Sequence, residues 1–174
     1  MKNIALILVA IVLVSSLAFA GDMAKSGQWG VNSVIGLQSV GVGFSGAGVK
    51  FMASENMAVR AEVGFSSTST SGGSGSASGY GIGAGLEFHQ TAIGGVSPYF
   101  GVQAGYSGES LPNGGTNASG FSVMGVYGGE YFFSSNFSWA GEIGVGFRSA
   151  GPSGATTTTF GTGSADMVFT WYLN

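Results

Sequence analysis

The sequence predicts an all-β chain, an eight-stranded antiparallel up-and-down transmembrane β-barrel preceded by a cleavable signal peptide. Three observations predict it. Apolar residues recur at every second position, most plainly in 57–66, where Met57, Val59, Ala61, Val63 and Phe65 alternate with Arg60, Glu62, Gly64 and Ser66. Charged residues make up only 7% of the chain, against ~25% in soluble domains, while glycine accounts for 34 of 174 residues. The N-terminus carries an export signal, and an exported chain with apolar side chains at alternate positions and charge hidden between them is built to face lipid outward.

Lys2 gives the signal a positive start, 4–14 is an unbroken apolar run, and Ala18-Phe19-Ala20 has the small-x-small form that signal peptidase accepts. Residues 1–20 are therefore expected to be removed, leaving 21–174 as one barrel domain. A helical span is the alternative, but the run falls short of the ~20 apolar residues that a bilayer requires. The chain has no cysteine, so export supplies no disulfides and stability must come from closure of the backbone or from insertion into lipid. Net charge is -3 with no basic cluster, which excludes the electrostatic footprint of a nucleic-acid binder.

Alternation sets the elements in order. The first strand, 28–38, opens on Trp29, and the second, 43–53, carries Lys50 between its apolar positions. The third is 57–67. The fourth, 78–89, alternates Tyr80, Ile82, Ala84, Leu86 and Phe88 with Gly81, Gly83, Gly85 and Glu87 and ends on His89. The fifth, 97–107, places Gly101, Gln103 and Gly105 on one face, and the sixth, 119–133, carries Glu130. The seventh, 137–148, sets Phe137, Trp139, Ile143, Val145 and Phe147 against Glu142, Gly144, Gly146 and Arg148. The eighth, 159–173, holds Asp166 and ends on aromatic residues. Links 54–56, 90–96 and 134–136 are short, whereas 68–77, 108–118 and 149–158 are longer and rich in Ser, Thr, Gly and Asn, with a brief first link at 39–42. Short turns at one end and longer loops at the other are the pattern of barrels with periplasmic termini and extracellular loops.

The apolar residues alone set the phase of each strand, and the charges then test it. Lys50, Arg60, Glu62, Glu87, Glu130, Glu142, Arg148 and Asp166 all fall on the inward face, joined there by His89 and Gln103. Phe44, Met52, Met124, Val126, Phe132 and Val168 also fall inward, which weakens the second, sixth and eighth strands. A lumen only just wide enough for side chains needs its inward glycines to make room for long Glu and Arg side chains. The expectation is a polar plug in which Lys50, Arg60 and Arg148 pair with some of the five carboxylates, because unpaired charges in so narrow a space carry a large desolvation penalty. Trp29, Trp139 and Trp171 fall at the periplasmic edge as an aromatic belt, with Tyr80, Tyr106, Phe121 and Phe147 as the outer one.

With signal, strand count, loop alternation and the aromatic final segment Met167-Val168-Phe169-Thr170-Trp171-Tyr172-Leu173-Asn174 in view, the mature chain resembles the small eight-stranded OmpA/OmpX-type outer-membrane barrels. The resemblance implies a bacterial outer membrane, lipids and lipopolysaccharide around the wall, and recognition by the barrel-assembly machinery. Members typically end on Phe, whereas Leu173 and Asn174 follow the last aromatic here. Relatives that bind peptidoglycan do so through a further domain, which is not expected in this chain.

No motif carries chemistry. Gly41-Val42-Gly43-Phe44-Ser45-Gly46 matches a dinucleotide fingerprint, but a strand and not a helix is expected to follow it. Asn117-Ala118-Ser119 and Asn136-Phe137-Ser138 match the glycosylation pattern, which has meaning only in a host that glycosylates. His89 is the single histidine and the carboxylates are spread over separate strands, so neither a metal cluster nor a Ser-His-acid triad is expected, nor any cofactor. Some similar barrels act as acyltransferases or deacylases on lipid A from the outer leaflet, whereas His89 is expected at the periplasmic end as a hydrogen-bonded structural residue. The leading function is a monomeric structural or surface-interaction protein acting through its extracellular loops and a possible surface ligand; a narrow cation-preferring pore is the second reading, and a lipid-modifying enzyme the third.

Overall fold

The computed structural model describes residues 24–36, 46–69, 76–110, 117–152 and 154–173; the signal segment, Phe44 and most of the glycine fingerprint lie outside them. The described residues form β1 (Trp29–Gly36), β2 (Gly46–Ser54), β3 (Met57–Ser69), β4 (Ser76–His89), β5 (Val96–Ser110), β6 (Ala118–Ser134), β7 (Phe137–Pro152) and β8 (Thr157–Leu173). Each strand pairs antiparallel with the next, and β1 pairs with β8 from Trp29↔Leu173 to Gly36↔Asp166, so the sheet closes on itself. Closure leaves no unpaired edge, which is what a strand in hydrocarbon requires. No helix among the described residues is long and apolar enough to cross a membrane.

The short links lie at one end. β2 turns into β3 at Glu55 and Asn56 after a register shift between Met52 and Ser54, and β6 turns into β7 at Ser135 and Asn136 after a similar shift between Phe132 and Ser134. The third turn is tightened where Ile93 and Val96 exchange backbone hydrogen bonds of 2.8 and 3.2 Å across Gly94 and Gly95. Both glycines have positive φ, +60° and +81°, the mirror-image turn that matches strand twist and that other residues adopt at a penalty. The segment before β1 folds under this end: Gly27 donates to the Met52 carbonyl at 2.7 Å, and Ala24 is buried with Met52, Ala58, Phe132 and Tyr172.

At the other end the strands run further than the sequence suggests. β7 and β8 pair out to Ala150↔Thr157, and β5 reaches Ser110, so 108–110, 118, 149–152 and 157–158 are strand and not loop. Continuing the antiparallel ladder satisfies backbone groups that a loop would leave to water, and the β-branched Thr157, Thr158 and Thr159 suit a strand.

The two-residue period separates the faces as expected. Ile82, Leu86, Val102, Val123, Ile143 and Val145 are exposed on the outer wall, where together they make a continuous apolar band. Aromatic pairs mark its rims: Trp29–Phe51, Phe88–Phe100 and Phe137–Trp171 at the short-turn end, Tyr80–Tyr106 and Phe147–Phe160 at the other. Trp139 lies at the short-turn end too, in register with Tyr131 and Phe169. From Phe88 to Tyr80 the band is about 20 Å tall, taking ~3.3 Å per residue and a ~40° tilt.

Candidate functional site

The lumen is built in three storeys. Its floor, at the short-turn end, is apolar: Met52 and Phe132 have no exposed surface, and Val168 and Val126 are buried above them. These inward apolar residues, misfits for a wholly polar lumen, seal the end on which the N-terminal segment folds. Their phase is the one the alternation assigns.

Above and among them sits a network of charges. Lys50 and Arg60 are direct cross-strand partners on β2 and β3, an arrangement that is repulsive unless anions lie between them. Glu87 of β4 lies between them, with Oε2 2.7 Å from Lys50 Nζ and Oε1 2.9 Å from Arg60 Nη1. Lys50 Nζ also donates to Glu130 Oε2 on β6 at 2.7 Å. Arg60 reaches across the barrel to β7, where Nη2 and Nη1 donate to the two oxygens of Glu142 at 2.6 and 3.1 Å, while its Nε pairs with Glu62 at 2.7 Å. Tyr99 Oη at 2.7 Å and Gln103 Nε2 at 3.2 Å donate to the same Glu142 carboxylate. Ser138 and Tyr172 donate to Glu130 Oε1. Side chains from seven of the strands thus meet across one cross-section, with the carboxylates of Glu87, Glu130 and Glu142 almost wholly shielded from solvent.

Glycine makes this possible at two points. A methyl at Gly128 would lie 2.6 Å from Tyr99 Cζ, so the tyrosine lies flat against the β6 backbone. A methyl at Gly48 would meet the Ala61 carbonyl and lie 2.5 Å from Asn32 Oδ1. Asn32 is buried, and its amide has no hydrogen-bond partner among the described residues. Asp166, also buried, stands opposite Glu142 in the β7–β8 register.

His89 closes the row at the floor. Its Nδ1 lies 3.2 Å from Ser97 Oγ and its Nε2 3.2 Å from Glu87 Oε2, with the ring tilted against Tyr99. Contrary to the sequence expectation, a serine, a histidine and an acid do come together, because the β4–β5 turn folds Ser97 back beside His89. Ser97, however, is fully buried and donates to the Gln90 carbonyl at 3.0 Å, and the Glu87 carboxylate beyond His89 is already engaged by Lys50 and Arg60. Closure also gathers ligand-type atoms of Glu87, His89 and Glu130 within 4.8 Å of one another, which the spacing along the chain does not reveal. The Lys50 ammonium lies against both carboxylates and supplies the cation there.

Arg148 corrects the expected network. It lies on the inward face, but its cross-strand partners are Ser122 and Thr159, and among the described residues it makes no ion pair. It is six residues from Glu142, about 20 Å along β7 at ~3.3 Å per residue, too far to join the plug. It lines instead a cavity of about 270 Å³ at the long-loop end, with Ser66, Gly79, Gly81, Ser107 and Glu109.

The network includes residues that sequence reading passed over, namely Ser97, Tyr99, Ser138 and Tyr172. Ser97 and Tyr99 share the parity of Gln103 and Glu109, Ser138 that of Glu142 and Tyr172 that of Asp166, which is the signal that could have found them.

No protein-family model and no curated protein matches the chain. Among solved structures it is similar to the outer membrane protein AlkL, determined by solid-state NMR in DMPC lipid bilayers, with a TM-score of 0.50 and 12% identity over 88% of this chain and 93% of that one. The likeness is one of fold, a closed antiparallel β-sheet.

Proposed function

We propose that the chain is a small bacterial outer-membrane barrel of eight strands, exported by a cleaved signal, whose lumen is a closed strut and whose activity toward other molecules lies at its extracellular end. The apolar band between two aromatic rims supports the membrane setting. The observation that carries the closed lumen is the cross-section filled by Lys50, Arg60, Glu87, Glu130, Glu142, Tyr99 and Tyr172, beneath which Met52 and Phe132 leave no polar path. A structural and surface-interaction role follows, in place of a pore, and a lipid-modifying enzyme is disfavoured because the Ser97–His89–Glu87 row is sealed at the periplasmic floor.

Fractionation of expressing cells tests the setting. The mature chain, starting at Gly21, is expected in the outer membrane and heat-modifiable on gels. Recovery as a soluble periplasmic protein would sink the reading.

A further inference from the structure

We propose that the outer mouth of the lumen is a binding site for a small polar ligand carrying one oxyanion, a carboxylate on a body no larger than a sugar ring, with Arg148 as its anchor. The observation behind it is an imbalance. The described lumen cations Lys50 and Arg60 are each held by at least two carboxylates, whereas Arg148, half-buried, has none. A guanidinium in a partly dehydrated cavity without a counter-ion is a poor arrangement for stability alone and a good one for a planar anion, which its forked donors match in two parallel hydrogen bonds.

The cavity around it has the right chemistry and size. Its volume of about 270 Å³ lies near the small end of ligand pockets. Ser66 and Ser107 contribute hydroxyls, and Gly64, Gly79 and Gly81 remove side chains that would otherwise fill the space. Hydroxyls both donate and accept, so they suit a polar body with several hydroxyl groups. Glu109 lines the rim on β5, is exposed, and forms no ion pair with Arg148. A carboxylate there repels a second negative charge, so the preferred ligand bears its single charge at the inner end and is neutral outward. The lumen below is sealed, so such a ligand binds from outside and does not pass. The site stands on the lumen wall alone, and its failure leaves the membrane reading untouched.

The test uses the folded chain in DMPC nanodiscs, with D-galacturonate as probe and D-galactose as neutral control, read by NMR amide and guanidinium shifts. Galacturonate is expected to give saturable shifts at Gly79, Gly81, Ser107 and Arg148, and galactose none. Arg148→Gln should weaken binding about ten-fold or more, with Arg148→Lys intermediate because it keeps charge but loses the fork. Ser107→Leu, which fills the cavity and keeps the cation, should also abolish the shifts, and serves if Arg148→Gln fails to fold. Equal binding of galactose, unchanged affinity in Arg148→Gln or in Ser107→Leu, or no saturation by galacturonate overturns the proposal. Discs doped with phosphatidylglycerol identify a lipid source: the same shifts there, with none from galacturonate, overturn the soluble ligand in favour of a headgroup.

Discussion

Arg60 on β3 and Glu142 on β7 face each other across the lumen in a two-point ion pair, Nη2 to Oε1 at 2.6 Å and Nη1 to Oε2 at 3.1 Å. The pair ties opposite walls of the barrel together, and the same guanidinium holds Glu62 and Glu87. Removing it takes the cation from Glu62 and Glu142 in a narrow space and leaves Glu87 to Lys50 alone among the lumen cations. Arg60→Met is therefore expected to destabilise the folded barrel by about 3–5 kcal/mol, and Arg60→Lys to recover only part of that, since an ammonium cannot serve the fork. Urea titration of the chain in lipid vesicles measures both, and a loss below about 1 kcal/mol for Arg60→Met would show that water already screens the pair.

Lys50 and Glu130 form the second tie, at 2.7 Å and without exposure of the carboxylate. Their energies should be non-additive. A double-mutant cycle of Lys50→Met and Glu130→Gln is expected to give a coupling of about 1–3 kcal/mol. Simple additivity would mean that the two side chains do not sense each other in the folded state.

Val63 is exposed on the outer wall, six residues from either end of β3 and flanked by Ala47 and Ile82 in the neighbouring strands. Val63→Arg should cost about 2–4 kcal/mol for folding into bilayers if it lies at the midplane, whereas Tyr80→Arg, at the rim, should cost about 0–1 kcal/mol. The ratio of the two, from the same vesicle titrations, checks the position of the band. Equal values would place the membrane elsewhere on the barrel.

Gly48 and Gly141 provide a steric pair. A methyl at Gly48 collides with the Ala61 carbonyl and the Asn32 amide, while one at Gly141 meets nothing within 4 Å. Gly48→Ala is expected to destabilise by about 1–3 kcal/mol and Gly141→Ala to be neutral or mildly stabilising. Thermal gel-shift midpoints distinguish them, and a neutral Gly48→Ala would mean that the wall at β2 yields.

Much of this architecture was legible because a strand in a barrel has only two faces. Once Tyr80, Ile82, Leu86 and Phe88 set the outward phase of β4, the inward placement of Glu87 and His89 followed without any knowledge of their partners. Met52, Phe132 and Val168 obeyed the same phase, and doubt about them arose from assuming that a charged lumen is polar throughout. Partnership was not legible, because it depends on the shear of the closed sheet. Register raises Arg148 about 20 Å along β7 from Glu142, at ~3.3 Å per residue, and brings Glu87 between Lys50 and Arg60. The extent of the outer ladders was hidden for a different reason: Ser and Thr read as loop residues by composition, yet β-branched threonine continues a strand when a paired neighbour offers its backbone.

Ion conductance in a planar bilayer tests the closed lumen most directly. The wild-type chain is expected to give no steady current, Arg148→Ala to behave the same because Arg148 lies above the plug, and Arg60→Ala to open a cation-selective path past Glu62, Glu87 and Glu142 only when Met52 and Phe132 of the apolar floor are also replaced by Ser. A steady cation-selective current through the wild type would contradict the account, because ions would then be crossing the section where Arg60 and Glu142 meet.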